Sequence, residues 1–217
     1  MTGDVSGGRT LVIDSATEAC SVALFNGGEL LAGEFRMLGR GHAEALVPMI
    51  AALPDRGRAP RIVVALGPGS FTGVRVGLAA GRALALAWGS EVLGYSTLAM
   101  VAAIARDQAG AVPIAVAMTG GHGEWFTESF TADGATSRAL ASQRPEAAAA
   151  GVRENVVAGN QAEALVAARA TGTALPIWPD ARSWPLLPHG AVTADIRPLY
   201  GRAPDARLPG GKPGPQS

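Results

Sequence analysis

The chain has 217 residues, 48% hydrophobic and 17% charged, a globular composition that excludes an intrinsically disordered protein. Its formal net charge is +0, so no global field draws it to nucleic acid or to a membrane surface. A single cysteine, Cys20, excludes an internal disulfide and a cysteine-based zinc site. The opening MTGDVSGGRT lacks the basic-then-apolar pattern of a secretion signal, so a soluble cytoplasmic protein with no membrane association is expected.

Residues 1–8, rich in Gly, Ser and Thr, read as a flexible tail. The apolar runs Leu11–Ile13, Ser21–Phe25 and Leu30–Phe35 read as strands, the last two joined across the hairpin signal Asn26-Gly27-Gly28. GHAEALVPMIAAL then places Ala45, Leu46, Met49, Ile50 and Leu53 on one helical face, with Pro48 as a potential kink. RIVVAL is a buried strand leading into a GPG turn and a long helix, Phe71–Trp88. SEVLGYS reads as a strand and TLAMVAAIARDQ as a helix begun by Ser96 or Thr97. Alternating strands and helices indicate an α/β layer.

From about residue 110 the pattern weakens. VPIAVAMTGG and EWFTESFTA read as two strands around a glycine-rich turn, RPEAAAAGV as a short helix, ENVVAGN as a strand and QAEALVAARAT as a helix. Four prolines, at 176, 179, 185 and 188, exclude long helices from the following stretch. DIRPLYGR reads as a short returning strand, and 203–217 as a disordered tail. No internal repeat is visible.

The stretch from Gly67 to Trp88, GPGSFTGVRVGLAAGRALALAW, is the most informative. Gly73, Gly77, Gly81 and Ala85 fall four apart and form one ridge almost without side chains. Three glycines inside a helix cost roughly 1 kcal/mol each relative to alanine, a cost that close approach along the ridge offsets. Two neighbours are compatible with it: the helix of a partner, or the chain's own core. Gly77→Leu separates them, lowering partner affinity in the first case and unfolding the chain in the second. Arg75, a cation in the first turn, opposes the helix dipole and is expected to answer a carboxylate or phosphate.

Tested against known chemistries, the residues yield no catalytic constellation. GPGSFTG lacks the Lys-Ser/Thr of a Walker loop and is one residue too long for a dinucleotide fingerprint. Asp14, Ser15, Thr17 and Ser21 lie on a strand–turn–strand of the kind that carries phosphate in actin-like ATPases. That makes Asp14 and Thr17 weak nucleotide candidates, because Ala16 stands where a glycine would be needed. His42 and Glu44 lack the second histidine of a zinc peptidase, leaving His42 a surface or capping role. Ser70 and Ser96 lack the flanking glycines of a nucleophile elbow.

Three stretches, LVIDSATEACSVAL, GHAEALVPMI and ALGPGSFTGVRVGLAAGRALAL with LGYSTLAMVA, resemble the TsaB (YeaZ) family, as does the closing RPLYGR. HGEWFTESF stands where that family has a GE followed by aromatics. Thr119 and Gly121 take the places of its acidic and basic residues, so a site on the loop Thr119–Glu124 is altered here. The resemblance implies an actin-like ATPase (ASKHA, RNase H-like) fold of two lobes, an N-terminal one at 9–108 and a reduced C-terminal one at 109–202. It also implies a non-catalytic subunit that binds and activates TsaD, with TsaE, in the N6-threonylcarbamoylation of adenosine 37 of tRNAs reading codons that begin with A. No cofactor is then expected on this chain alone, ATP and a metal ion belonging to the partner subunits, and tRNA is met only through the complex. The partner interface expected from the ridge comprises Gly73, Gly77, Gly81 and Ala85 with Leu46, Met49, Ile50 and Leu53, and the same face could form a homodimer. The alternative, from a different class, is a stand-alone small ASKHA-type kinase or ATPase.

Overall fold

The structure, a computed structural model, describes residues 8–201. The tails expected at 1–8 and 203–217 lie outside the described residues apart from Gly8, whose carbonyl accepts from Gly27 N–H at 3.1 Å.

β1 (Arg9–Asp14) pairs antiparallel with β2 (Ala19–Asn26), which turns through Gly27-Gly28 into β3 (Glu29–Met37). Gly27 takes φ 59°, the left-handed conformation that the tight hairpin requires. α1 (His42–Ala52) continues through Pro48 and buries Leu46, Met49 and Ile50. β4 (Arg61–Ala65) lies parallel to β1, α2 (Phe71–Trp88) crosses over, and β5 (Glu91–Tyr95) lies parallel to β4. α2 is capped by Ser70, whose hydroxyl accepts from Gly73 N–H, and closed by Gly89 at φ 68°. α3 (Thr97–Ala109) starts on Ser96, whose hydroxyl accepts from Ala99 N–H.

The second half builds β6 (Ile114–Thr119), β7 (Trp125–Phe130) and β8 (Thr136–Gln143) as an antiparallel meander. α4 (Pro145–Gly151), β9 (Val156–Ala158), α5 (Ala162–Arg169) and β10 (Thr173–Leu175) follow, with β9 parallel to β6 and β10 parallel to β9. With a short closing strand, β11 (Val192–Thr193), the strand orders are β11-β5-β4-β1-β2-β3 and β10-β9-β6-β7-β8. Leaving out β11, the two sheets match strand for strand in order and sense, a repeat of topology with no repeat of sequence. β11 returns antiparallel to β5, so the closing strand lies upstream of the DIRPLYGR segment expected to form it. Between β10 and β11 along the chain, residues 181–186 and 189–191 form 3-10 turns, consistent with the exclusion of long helices.

β8 and β10 have no counterpart in the sequence reading. β8 lies on the edge of its sheet with its first half exposed, so it carries no apolar alternation, and β10 is three residues long.

The glycine ridge faces inward, which corrects its reading as a partner surface. A Cβ on Gly73 would stand 2.1 Å from Ser15 O, one on Gly77 2.6 Å from Ser15 Oγ, and one on Gly81 3.2 Å from a methyl of Val64. The ridge lets α2 lie against β1 and β4, and Ala85 is buried in the same core. Leu46, Met49, Ile50 and Leu53 are buried there too. The core of this chain has therefore consumed the whole expected interface set. What α2 turns outward is Phe71, Thr72, Arg75, Ala79, Arg82, Ala83, Leu86 and Ala87, with Leu86 88% exposed. The adjacent α1 exposes Ala43, Val47 and Ala51.

Candidate functional site

Each lobe contributes a turn after its first strand and a glycine-led loop before a helix, and the four segments meet across a cleft of about 680 Å³. From the first lobe come Ala16–Glu18 and Gly69–Arg75; from the second come Met118–His122 and Asn160; Leu199–Gly201 close one side.

In the first lobe the turn and the loop are fused. Ser70 N–H donates to Ala16 O at 2.6 Å, and Ser15 Oγ donates to Gly73 O at 2.9 Å. A Cβ on Gly69 would lie 2.0 Å from Ala16 O, so only glycine allows this contact. Two amide hydrogens of the turn are committed locally, Ala16 N–H to Asp14 Oδ1 at 3.0 Å and Ala19 N–H to Thr17 Oγ1 at 3.2 Å. A phosphate cradle needs free amides pointing at the ligand; here carbonyls meet a glycine loop and those two amides are occupied.

The second lobe repeats the arrangement with different groups. A Cβ on Gly159 would lie 2.2 Å from Ala117 O. Thr119 N–H donates to Asn160 Oδ1 at 2.8 Å, and Thr119 Oγ1 accepts from Gln161 Nε2 at 2.8 Å. Glu18 joins the two lobes: its Oε1 accepts from Asn160 Nδ2 at 2.8 Å and Trp178 Nε1 at 2.7 Å. Partial burial pushes the Glu18 carboxyl up, but these hydrogen bonds outweigh it, and the group titrates below its ordinary value.

Asp14 and Thr17, the nucleotide candidates, part company. Asp14 is 1% exposed and turned into the core, where Tyr95 Oη donates to Oδ2 at 2.7 Å. Burial pushes its carboxyl up to about 6, against the hydrogen bonds from Ala16 and Tyr95, with Asp180 adding to the rise. Thr17 lines the cleft, though its hydroxyl is engaged with Ala19. His42 is buried rather than at the surface, and its Nε2 has no hydrogen-bond partner among the described residues. No group of three or more His, Cys, Asp or Glu among the described residues is placed to hold a metal ion.

The carboxylate half of the expectation for Arg75 is not met within the described part of the chain. Among the described residues it meets no carboxylate: its guanidinium stacks 3.5 Å over the Phe71 ring and donates to Tyr200 Oη at 3.2 and 3.4 Å. One turn pair further along, Arg82 donates to Ile196 O at 3.0 Å, and Leu199 N–H donates to Leu66 O at 2.8 Å. The two arginines, seven apart on one face of an otherwise apolar helix, hold residues 196–200 against α2. That spacing was the available signal for a contact the sequence reading missed.

The family described as TsaD, tRNA N6-adenosine threonylcarbamoyltransferase, matches residues 36–172. The Escherichia coli tRNA threonylcarbamoyladenosine biosynthesis protein TsaB is 38% identical over 130 residues, 58% of this chain and 56% of that protein. Two solved structures, YeaZ from Pseudomonas aeruginosa and a protein with similarity to it, are 29% and 30% identical, each with TM-score 0.74, and cover 88–89% of this chain and 99% of theirs. The chain belongs to the TsaB/YeaZ family. The matched stretch spans about half the length of the curated TsaB relatives. The Carboxydothermus hydrogenoformans ethanolamine utilization protein EutJ, 12% identical with TM-score 0.50 over 83% of this chain, shares the fold alone. The fold is the two-sheet ASKHA type that the TsaB resemblance implied. Among the described residues no helix is long and apolar enough to cross a membrane.

Proposed function

We propose that this chain is a non-catalytic subunit that binds TsaD and supports N6-threonylcarbamoylation of adenosine 37 in tRNAs reading codons that begin with A, acting in the cytoplasm together with TsaE. In this reading ATP and the metal ion belong to the partner subunits, and tRNA is reached only through the complex. The observation that carries it is the apolar outer face of α2 and α1. Leu86 is 88% exposed and Val47 58%, and Ala79 and Ala83 lie on the same α2 stripe as Leu86. An isolated exposed leucine is ordinary, but a stripe of small apolar residues around one on adjacent helices is the form of a helix-docking surface. This keeps α1 and α2 as the docking helices and moves the contact from the buried glycine ridge to the opposite face. The same face could pair two copies of the chain when no partner is present.

The fused turn and loop weigh against the stand-alone kinase or ATPase, since Gly69 and Gly73 lie against the carbonyls of Ala16 and Ser15, and the Ala16 and Ala19 amides are engaged within the chain. The test is reconstitution of the modification from purified TsaD and TsaE, with and without this chain, read by nucleoside mass spectrometry. Product that depends on this chain is expected; equal product without it would refute the activating role. Leu86→Glu, at a site with almost no contacts to lose, should leave the melting temperature unchanged and weaken TsaD binding by about tenfold or more. Unaltered affinity would remove this face from the interface.

A further inference from the structure

The cleft has a chemistry that neither the docking face nor the closed phosphate seat uses. We infer that it is a binding site for a small planar aromatic molecule carrying one anionic group, a ring-bearing carboxylate or sulfonate.

Its size, about 680 Å³, is that of a small-molecule site. Its walls are apolar and aromatic, with Phe71, Val74, Met118, Phe126 and Tyr200 contributed by both lobes and the returning segment. Phe71 and Tyr200 keep 58% and 47% of their surface exposed, and their ring centroids lie 5.9 Å apart at the mouth. Two aromatic rings held open to water beside an apolar hollow are a ready surface for a flat ligand.

The charge requirement comes from Arg75. Its guanidinium is already positioned by the Phe71 ring and by Tyr200 Oη, yet among the described residues it has no carboxylate partner. A cation fixed in this way loses little freedom on meeting an anion, and its planar fork matches a carboxylate or sulfonate. A single anionic group is specified by what surrounds it. The amides of Ala16 and Ala19 in one turn, and of Thr119 and Gly120 in the other, donate within the chain, so a polyphosphate finds no cradle among them. The Glu18 carboxylate, which also lines the cleft, repels a second negative group. The site therefore selects rings plus one charge and discriminates against nucleotides.

The probe is 8-anilinonaphthalene-1-sulfonate titrated into the full chain, with N-phenyl-1-naphthylamine as the counterpart that has the rings without the charge. One saturable site is expected, binding the sulfonate about tenfold more tightly than the neutral amine. Arg75→Gln should abolish that preference while leaving the neutral amine's affinity in place, and Arg75→Lys should restore part of it. Amide shifts in 1H–15N spectra should fall at residues 69–75, 118–122 and 199–201. ATP at the same concentration should not displace the probe. Several weak sites, a preference that survives Arg75→Gln, or shifts confined to the outer face of α1 and α2 would each overturn the assignment. Should Arg75→Gln unfold the chain, Thr119→Trp, at an exposed position on the lip, tests the same cleft by obstruction. Loss of binding then supports the site and retained binding overturns it.

Discussion

The two lobes share one strand order and sense but are built to different scales. In the first, β1, β2 and β4 are mostly buried runs of five to eight residues, and an 18-residue helix covers them. In the second, the corresponding crossover strands β9 and β10 have three residues each, and the helix α5 has eight. Yet both lobes keep the contact of a glycine with a carbonyl of the first strand or its turn, Gly69 on Ala16 and Gly159 on Ala117. Close backbone approach beside the first strand has thus been retained while the amount of sheet and helix around it has shrunk. The contact belongs to the topology, and the long helix belongs to the first lobe's own core.

The largest effect expected comes from putting one methyl group into a close glycine–carbonyl approach in each lobe, at Gly73 in the first and at Gly159 in the second. Gly73→Ala would place Cβ 2.1 Å from a backbone oxygen that cannot step aside, within the larger core. We expect a loss of more than about 4 kcal/mol, seen as an insoluble chain or one already unfolded in low urea. Gly159→Ala meets Ala117 O at 2.2 Å and also requires φ 113° of a residue with a side chain. Because α5 and β9 are short, its damage should remain local: hydrogen exchange would quicken in β6, β9 and α5 while β1 and β4 keep their protection. Equal global unfolding in both variants would show that the lobes form one cooperative unit and end the contrast. Gly77→Leu belongs with Gly73→Ala and should unfold the chain, which is the internal-packing outcome for the ridge.

The first lobe was legible because its signals are local and strong. Asn26-Gly27-Gly28 fixes a hairpin, RIVVAL is a buried run, and Ser96, one of the two residues read as starting a helix, caps α3 in the structure. The second lobe was half legible: β6 and β7 stood out, whereas β8, whose exposed half carries Thr136, Ser137 and Arg138, gives no period to read. Spacing identified the glycine ridge but not its neighbour, since small residues four apart serve a partner's helix and an own sheet equally. The core had to be seen to decide, and it placed Ile13, Ser15 and Val64 there. The cleft was not legible, because Arg75 and Tyr200 meet across 125 positions of sequence.

Next in size is a contrast at equivalent positions. The last residue of β1 is Asp14 and that of β6 is Thr119, one a buried acid and the other an exposed hydroxyl. Raising the Asp14 carboxyl from 3.8 to about 6 corresponds to roughly 3 kcal/mol between its two protonation states. The sign follows from burial favouring the neutral form. Its contribution is fully present below about pH 4 and is lost as pH rises through about 6. Asp14→Asn stays neutral, so relative to the parent it should gain roughly 2–3 kcal/mol between pH 4 and pH 7.5 in urea unfolding. A difference that does not change with pH would mean that Asp14 titrates alike in both states. Changing Thr119 should leave this pH dependence untouched.

The smallest effect concerns the link between the lobes. Glu18 accepts from Asn160 and Trp178 through one oxygen, so Glu18→Ala leaves two second-lobe donors without that partner. Since the group is only partly buried, water can replace some of what is lost, and the expected cost is about 1–2 kcal/mol at pH 7. Glu18→Gln keeps an acceptor oxygen in place and should cost less. The two variants differ in what acid does. The carboxyl of Glu18 titrates below its ordinary value, so its charge-dependent contribution is present at neutral pH and lost as pH falls through the folded-state value. Glu18→Gln should therefore approach the parent's stability in acid and fall short of it at pH 7, while Glu18→Ala stays weaker at both. If Ala and Gln behave alike at both pH values, Asn160 and Trp178 do not depend on Glu18. The lobes would then be held together by the packing of α3 and the 181–186 turn against the two sheets.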